Sequence, residues 1–312
     1  MNLFLTTLSQ IAFLFGFIII GYILAKGRVL PENSAAVLSK LENYIFIPAL
    51  VLKTFIENFT VEQLGKAWKL LLISCLIELI VIPLAIFASK LVTKDKYTRK
   101  IYTYGLAFSN FGFMGNAVVS CLFPDVFFEY LIFTLPLWTL IYIWGVPRLL
   151  IADSEKKHTF GESLRSFINP MFIAMLAGML IGLSRLSMPQ WITSLISISA
   201  DCMSPIAMIL TGVVVSSISL KKTFTNVKIY IISIVRLVLL PMLFMAVASF
   251  FEIPRTIYLC ALCSLAMPLG LNTIVIPSAY GKDTTVAAGM TIISHLLAII
   301  TIPLIFAIAN VQ

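Results

Sequence analysis

The chain has 312 residues, 60% of them hydrophobic and 12% charged, with a mean hydropathy of +1.03. No soluble domain hides that much apolar surface, so the sequence reads as an all-α polytopic membrane protein. The net charge of +8 is explained by basic residues flanking membrane spans, which excludes nucleic acid as a partner.

Windows of about 20 residues predict ten transmembrane helices near 8–25, 34–56, 68–89, 101–121, 127–147, 169–184, 190–219, 228–250, 256–280 and 285–309. The first lacks a basic leader and a cleavage site, so it reads as a retained helix. The second carries Lys40, Glu42 and Pro48; Lys40 lies near enough to a span end to snorkel. Glu78 in the third span and Arg236 in the eighth stand at mid-depth, where a lone charge is costly and usually functional. The fourth holds SNFGFMGNAV, residues 109–118, and the ninth MPLGLN, residues 267–272. Asp201 sits in the seventh, and His295 in the tenth is a candidate proton carrier or a packing residue. Cys75, Cys121, Cys202, Cys260 and Cys263 all lie in or beside apolar segments. They read as small buried hydrophobes, with no metal site and no cofactor expected.

Lys and Arg set the orientation. Fifteen fall in the loops after odd-numbered spans, among them Lys94, Lys96, Arg99, Arg148, Lys156, Lys157, Lys221 and Lys222. The opposite loops hold Lys66, Lys69, Arg185 and Arg255. The asymmetry predicts both termini outside the cytoplasm and the hydrophilic linker 148–168 inside it.

The halves repeat. TRKIY at 98–102 answers PRTIY at 254–258, an offset of 156 that also places Asn116 on Asn272. Pro31 and Pro189, Pro48 and Pro205, and Pro83 and Pro241 pair within two residues of that offset, and Glu78 faces Arg236. Five spans per half is an odd number. Residues 1–147 and 169–312 are therefore predicted to be inverted repeats, an arrangement typical of secondary transporters.

Gly112, Gly115 and Asn116 weaken the fourth span. In the ninth, Pro268 removes the donor that the Ser264 carbonyl would receive, and Gly270 frees the backbone. The expectation is two discontinuous helices, 4 and 9, crossing where freed N–H groups attract a carboxylate and freed carbonyls attract cations. Gly112, Asn116, Pro268 and Asn272, with Ser109 and Asn110 beside them, are the candidate substrate-binding residues. The asparagines either reach the substrate or only cap the breaks. Glu78 and Arg236 are a candidate ion pair standing where an ion-coupled protein would hold a cation, a proton relay, or a structural bridge; Asp201 is a candidate for coupling.

Ten spans, the paired IPAL-like and MSPIA-like segments, the glycine/asparagine break and MPLGLNTIVIPSAYGKD resemble the auxin efflux carrier family over essentially the whole chain. That family includes the plant PIN auxin carriers and bacterial permeases often labelled malate or organic-acid transporters. The resemblance implies a fold shared with bile acid/sodium symporters. Spans 1, 2, 6 and 7 would form a scaffold, spans 3–5 and 8–10 an elevator-like transport domain, and the protein a homodimer in the cell membrane. Plant carriers have proline at both crossings, whereas this chain has glycine at the first, and its short central loop is of the prokaryotic type. The expected function is secondary transport of a small organic anion, with sodium or protons as coupling ions. The alternatives are a channel or a non-transporting sensor of the same fold. Enzyme chemistry is excluded: no HExxH zinc site, GxS nucleophile or clustered aspartates occur.

Overall fold

The structure, a computed structural model, describes residues 3–151, 170–184, 188–216, 225–279 and 282–310. Nearly all of the 148–168 linker lies outside the described residues, as do Arg185, Lys221 and Lys222. Every regular element among the described residues is helical. In chain order they are α1 (Leu3–Lys26), α2 (Ser34–Asn58), α3 (Val61–Val92), α4 (Lys96–Ala107), α5 (Phe111–Leu122), α6 (Pro124–Leu150) and α7 (Pro170–Ser184). They continue with α8 (Gln190–Ser216), α9 (Val227–Ala248), α10 (Arg255–Ala266), α11 (Asn272–Ala279) and α12 (Thr285–Ile308). By length and composition α2, α3 from Ala67, α6, α8, α9 and α12 can each cross a membrane. Shorter apolar helices cover Ile11–Lys26, α5, α7 and α10.

Exposed apolar side chains run along the helices with helical spacing. Leu72, Leu76, Leu79, Ile80, Phe87 and Leu91 line α3, and Leu296, Ile300, Leu304 and Ile308 line α12. Stripes of this extent on several helices are a lipid-facing surface. Prolines shape the interior of the spans. Pro48 and Pro241 each follow a π-turn, Glu42–Phe46 and Val235–Leu239, and Pro147 lies within a third, Ile141–Leu150. A proline cannot donate, so the preceding turn widens: Ile47 N–H reaches back to the Glu42 carbonyl and Leu240 N–H to that of Val235.

Two helix pairs approach through glycines. Gly21 of α1 faces the Ile209 backbone of α8, and Gly212 of α8 faces the Ile18 carbonyl and the Tyr22 nitrogen of α1. Gly178 and Gly182 of α7, four apart, meet Leu52, Phe55 and Phe59 at α2 and its C-terminal end. Small residues spaced this way let backbones touch in a membrane. Gly212→Val has nowhere to put its side chain except into the α1 backbone, and the clash cannot relax through a rotamer. Such overpacking costs at least about 1–3 kcal/mol, so the variant is expected to show a clearly lowered thermal midpoint in detergent. Gly65→Ala, where an added Cβ meets nothing within 4 Å, is the matched control.

The loops before α4 and α12 are held by aspartate caps. Asp95 accepts the Thr98 N–H at 2.7 Å, and Asp283 accepts both the Thr285 N–H at 2.9 Å and its hydroxyl at 2.6 Å. These bonds hold both carboxyls below the usual aspartate range.

Candidate functional site

The centre of the molecule is where two helices stop and pass each other. α4 ends at Ala107, Phe108 is extended, and Ser109 pairs antiparallel with Leu269 in an isolated bridge. Asn110 N–H donates to the Pro268 carbonyl at 2.7 Å, and Leu269 N–H donates to the Ser294 hydroxyl at 3.2 Å. Gly270 permits this close passage, since a Cβ there would stand 3.2 Å from the Ser109 carbonyl.

The first break therefore lies at residues 108–110, ahead of the glycines expected to form it. Gly112 and Gly115 are already helical, in a π-turn over Phe111–Gly115. Their missing side chains make room for neighbours instead: a Cβ at Gly112 would sit 2.6 Å from the Trp138 ring, and one at Gly115 would strike the Tyr130 hydroxyl. Asn116 and Asn272 open the regular α-turns on the far side of the two breaks, over Asn116–Leu122 and Asn272–Ala279.

Each break orphans a carbonyl, and one side chain serves both. The helical donor for Leu106 would be Asn110 N–H, which goes to Pro268; the donor for Ser264 would be residue 268, a proline without N–H. Arg236 donates Nη1–H to the Leu106 carbonyl and Nη2–H to the Ser264 carbonyl, both at 2.8 Å, with Nε 3.4 Å from the Met267 carbonyl. Ser109 Oγ–H adds a second bond to Ser264 at 2.7 Å. The guanidinium, 1% exposed, thus joins the negative C-terminal ends of α4 and α10. Glu78 on α3 is likewise buried, 3% exposed. No ion pair within 4.0 Å joins them among the described residues, and Glu78 Oε2 has no hydrogen-bond partner. The arginine is committed to backbone before it is committed to the glutamate.

The remaining predicted residues divide. Ser109, Asn110, Gly112 and Asn272 line one recess at the crossing, together with Tyr104, Trp138 and Gly270. Asn272 Nδ2 lies 3.5 Å from the Tyr104 hydroxyl, a weak contact that leaves the amide available. Pro268 stands in the second break and contributes its carbonyl to Asn110. Asn116 is 2% exposed and its neighbour Gly115 holds the N-cap position without a side-chain bond. Its amide lines none of the cavities described here. Asp201 does not join the crossing: it pairs with Lys53 at 3.6 Å, and Lys53 also donates to Ser197 Oγ at 2.9 Å. Glu42 is fully enclosed in the π-turn of α2, with both carboxyl oxygens unpartnered.

Two cavities of about 350 Å³ each open at opposite ends of the bundle. One is lined by Lys53, Glu57, Asn58, Ser120, Asp201 and Ser204, at the C-terminal ends of α2 and α5. The other is lined by Ser39, Asn43, Tyr142, Pro170 and Asn272, at the N-terminal half of α2 and the start of α7. The crossing recess holds only about 10 Å³, room for roughly one water. It shares Phe113, Trp138, Leu271 and Asn272 with the second cavity and no residue with the first. A ligand entering from the second cavity would keep its body there and pass only a small head group into the recess. Lys53 was not singled out from sequence. It lies five residues before the end of α2 at Asn58, where a lysine reads as an ordinary flank able to snorkel.

A helical bundle with a lipid-facing surface, two interrupted helices side by side and polar cavities at both ends defines a membrane transport protein. Residues 6–306 match the family described as membrane transport protein, Mem_trans. The chain belongs to this family, which is of the auxin efflux carrier type that its motifs resemble, and it is a transport family, not an enzyme family. No curated protein matches the chain.

Proposed function

We propose that the protein is a secondary transporter of small organic anions, carboxylates in the first place, with its binding site at the crossing of the two interrupted helices. The observation that carries this reading is the division of helix ends. The negative ends of α4 and α10 are already occupied by Arg236. The positive end of α5 and the Asn272 amide beside it are turned to the recess and the second cavity. The first N–H groups of a helix have no intrahelical partner, so a carboxylate is the complementary guest.

In this reading the ten apolar segments form two inverted five-helix repeats. α1, α2, α7 and α8 make the scaffold, and α3–α6 with α9–α12 make the moving body. The close α1–α8 and α2–α7 packing supports that partition. With both termini extracytoplasmic in the cell membrane, the second cavity is cytoplasmic, and the described state faces inward. A homodimer held through the scaffold fits the family. An elevator stroke would expose the crossing to the first cavity, where Lys53 and Asp201 stand on the scaffold.

A guanidinium on the orphaned carbonyls fills the place where a sodium ion would otherwise bind. Flux into proteoliposomes, with a panel of mono- and dicarboxylates, is therefore expected to be saturable, stimulated by counter-substrate and unchanged when sodium is replaced by choline. Sodium-dependent uptake would overturn the role given to Arg236. Non-saturable flux would favour a channel, and no carboxylate flux under any sodium or proton gradient would remove the proposed function itself.

A further inference from the structure

Asn110 and His295 form a buried pair at the crossing, 2% and 3% exposed, with Asn110 Nδ2 and His295 Nε2 3.2 Å apart. The polarity of that contact follows from the other side of the ring. His295 Nδ1 lies 2.7 Å from the Thr291 carbonyl, and a carbonyl can only accept. Nδ1 therefore carries the hydrogen, and in the neutral ring Nε2 is left as an acceptor. The Asn110 amide must give it an N–H, which places the Asn110 NH2 towards α12 and its Oδ1 on the opposite side of the amide. The backbone of Asn110 is equally fixed, its N–H given to Pro268 at 2.7 Å and its carbonyl taking Gly115 N–H at 2.8 Å. Asn110 lines the recess, so the group it offers there is an acceptor. Ser109, also in the recess, has already given its hydroxyl hydrogen to Ser264, and it too has only lone pairs to present.

We infer that His295 is a positioning residue that sets the hydrogen-bond polarity of the recess, so that the site selects carboxylates bearing a hydroxyl or N–H donor next to the carboxyl group. This rests on the carboxylate reading above and sharpens it. The carboxylate meets N–H groups at the start of α5 and at Asn272, while the donor on the adjacent carbon meets Asn110 Oδ1. The small volume of the recess matches a single hydroxyl. A ligand without the donor leaves a buried acceptor unpaired, which is the strongest basis for rejecting a close analogue.

The test uses the purified full-length protein and two ligand pairs that differ by one hydroxyl, malate with succinate and lactate with propionate, measured by calorimetric titration. The wild type is expected to bind the hydroxy member of each pair at least about 10-fold tighter. In His295→Leu the Asn110 amide is free to turn either way, and the ratio should fall towards one through weaker binding of the hydroxy acid. His295→Gln, whose amide oxygen can take the same N–H, should keep the preference. No preference in the wild type, or the same ratio in wild type and His295→Leu, overturns the inference while leaving the carboxylate reading intact. Binding of none of the four acids removes both. Should His295→Leu not fold, ¹⁵N-histidine spectra of the wild type decide the matter: a hydrogen on Nε2 in place of Nδ1 overturns the assignment.

Discussion

Arg236→Ala is expected to unfold the centre of the protein, and Glu78→Gln to leave it standing. The arginine satisfies the orphaned Leu106 carbonyl and shares that of Ser264, at the ends of two different helices. Stranding a buried acceptor costs about 1–3 kcal/mol, and a bond to a charged donor contributes roughly 1.5–3 kcal/mol. Two such losses amount to several kcal/mol, a large part of the roughly 5–15 kcal/mol that holds a typical domain together. The thermal midpoint in detergent should fall by about 10 °C or more. Glu78 makes no contact of this kind, and its Oε2 has no partner to lose. Its neutral isostere should shift the midpoint by only a few degrees, with folded protein recovered. Arg236→Lys should lie between, because a compact ammonium cannot fork to carbonyls on two helices. Equal, small shifts for Arg236→Ala and Glu78→Gln would contradict the geometry, since a symmetric ion pair would make the two losses alike.

Asn272→Ala is the corresponding prediction for binding. Its amide lines both the recess and the adjoining cavity and has only a 3.5 Å contact with the Tyr104 hydroxyl. Little structure depends on it, so the thermal midpoint should move by no more than about 2 °C. A bond to a carboxylate is worth roughly 1.5–3 kcal/mol, which corresponds to about 10- to 100-fold in Kd. Titration with the tightest-binding carboxylate should show that loss, and transport at low substrate should fall with it. Asn116→Ala is the informative companion, because Asn116 lines none of the cavities described above. A large loss for Asn116 with none for Asn272 would move the site to the other side of the first break.

The sequence made the membrane class, the interruptions and several residues that line the crossing recess visible, because each left a local mark. Pro268 could not donate to Ser264, Gly270 had to be there for a close passage, and the repeat drew Asn116 and Asn272 together. Other features had no local mark. The first break falls at Phe108 and Ser109, neither a helix breaker, because the bridge to Leu269 and the bond to Pro268 override propensity. The glycines that drew attention there relieve crowding by Trp138 and Tyr130, which only tertiary packing could reveal. Arg236 and Glu78 are both buried, as their depth in the spans predicts, but no ion pair within 4.0 Å joins them among the described residues. Nothing in their spacing said that the arginine would turn to backbone carbonyls. Asp201 found Lys53, and Asn110 found His295, through contacts 148 and 185 residues apart in sequence.

The reach of those contacts bears on how the chain is made. When α4 and α5 emerge from the ribosome, the Leu106 carbonyl has no donor and Asn110 lacks its two distant partners, Pro268 and His295. They arrive with residues 236, 268 and 295. For more than a hundred residues of synthesis the first interruption must wait as open polar backbone in or beside the bilayer. α9 brings the donor for Leu106, and the partners of Asn110 follow with residues 268 and 295. A chain cut short before Arg236 therefore leaves the Leu106 carbonyl without the donor that the complete protein gives it.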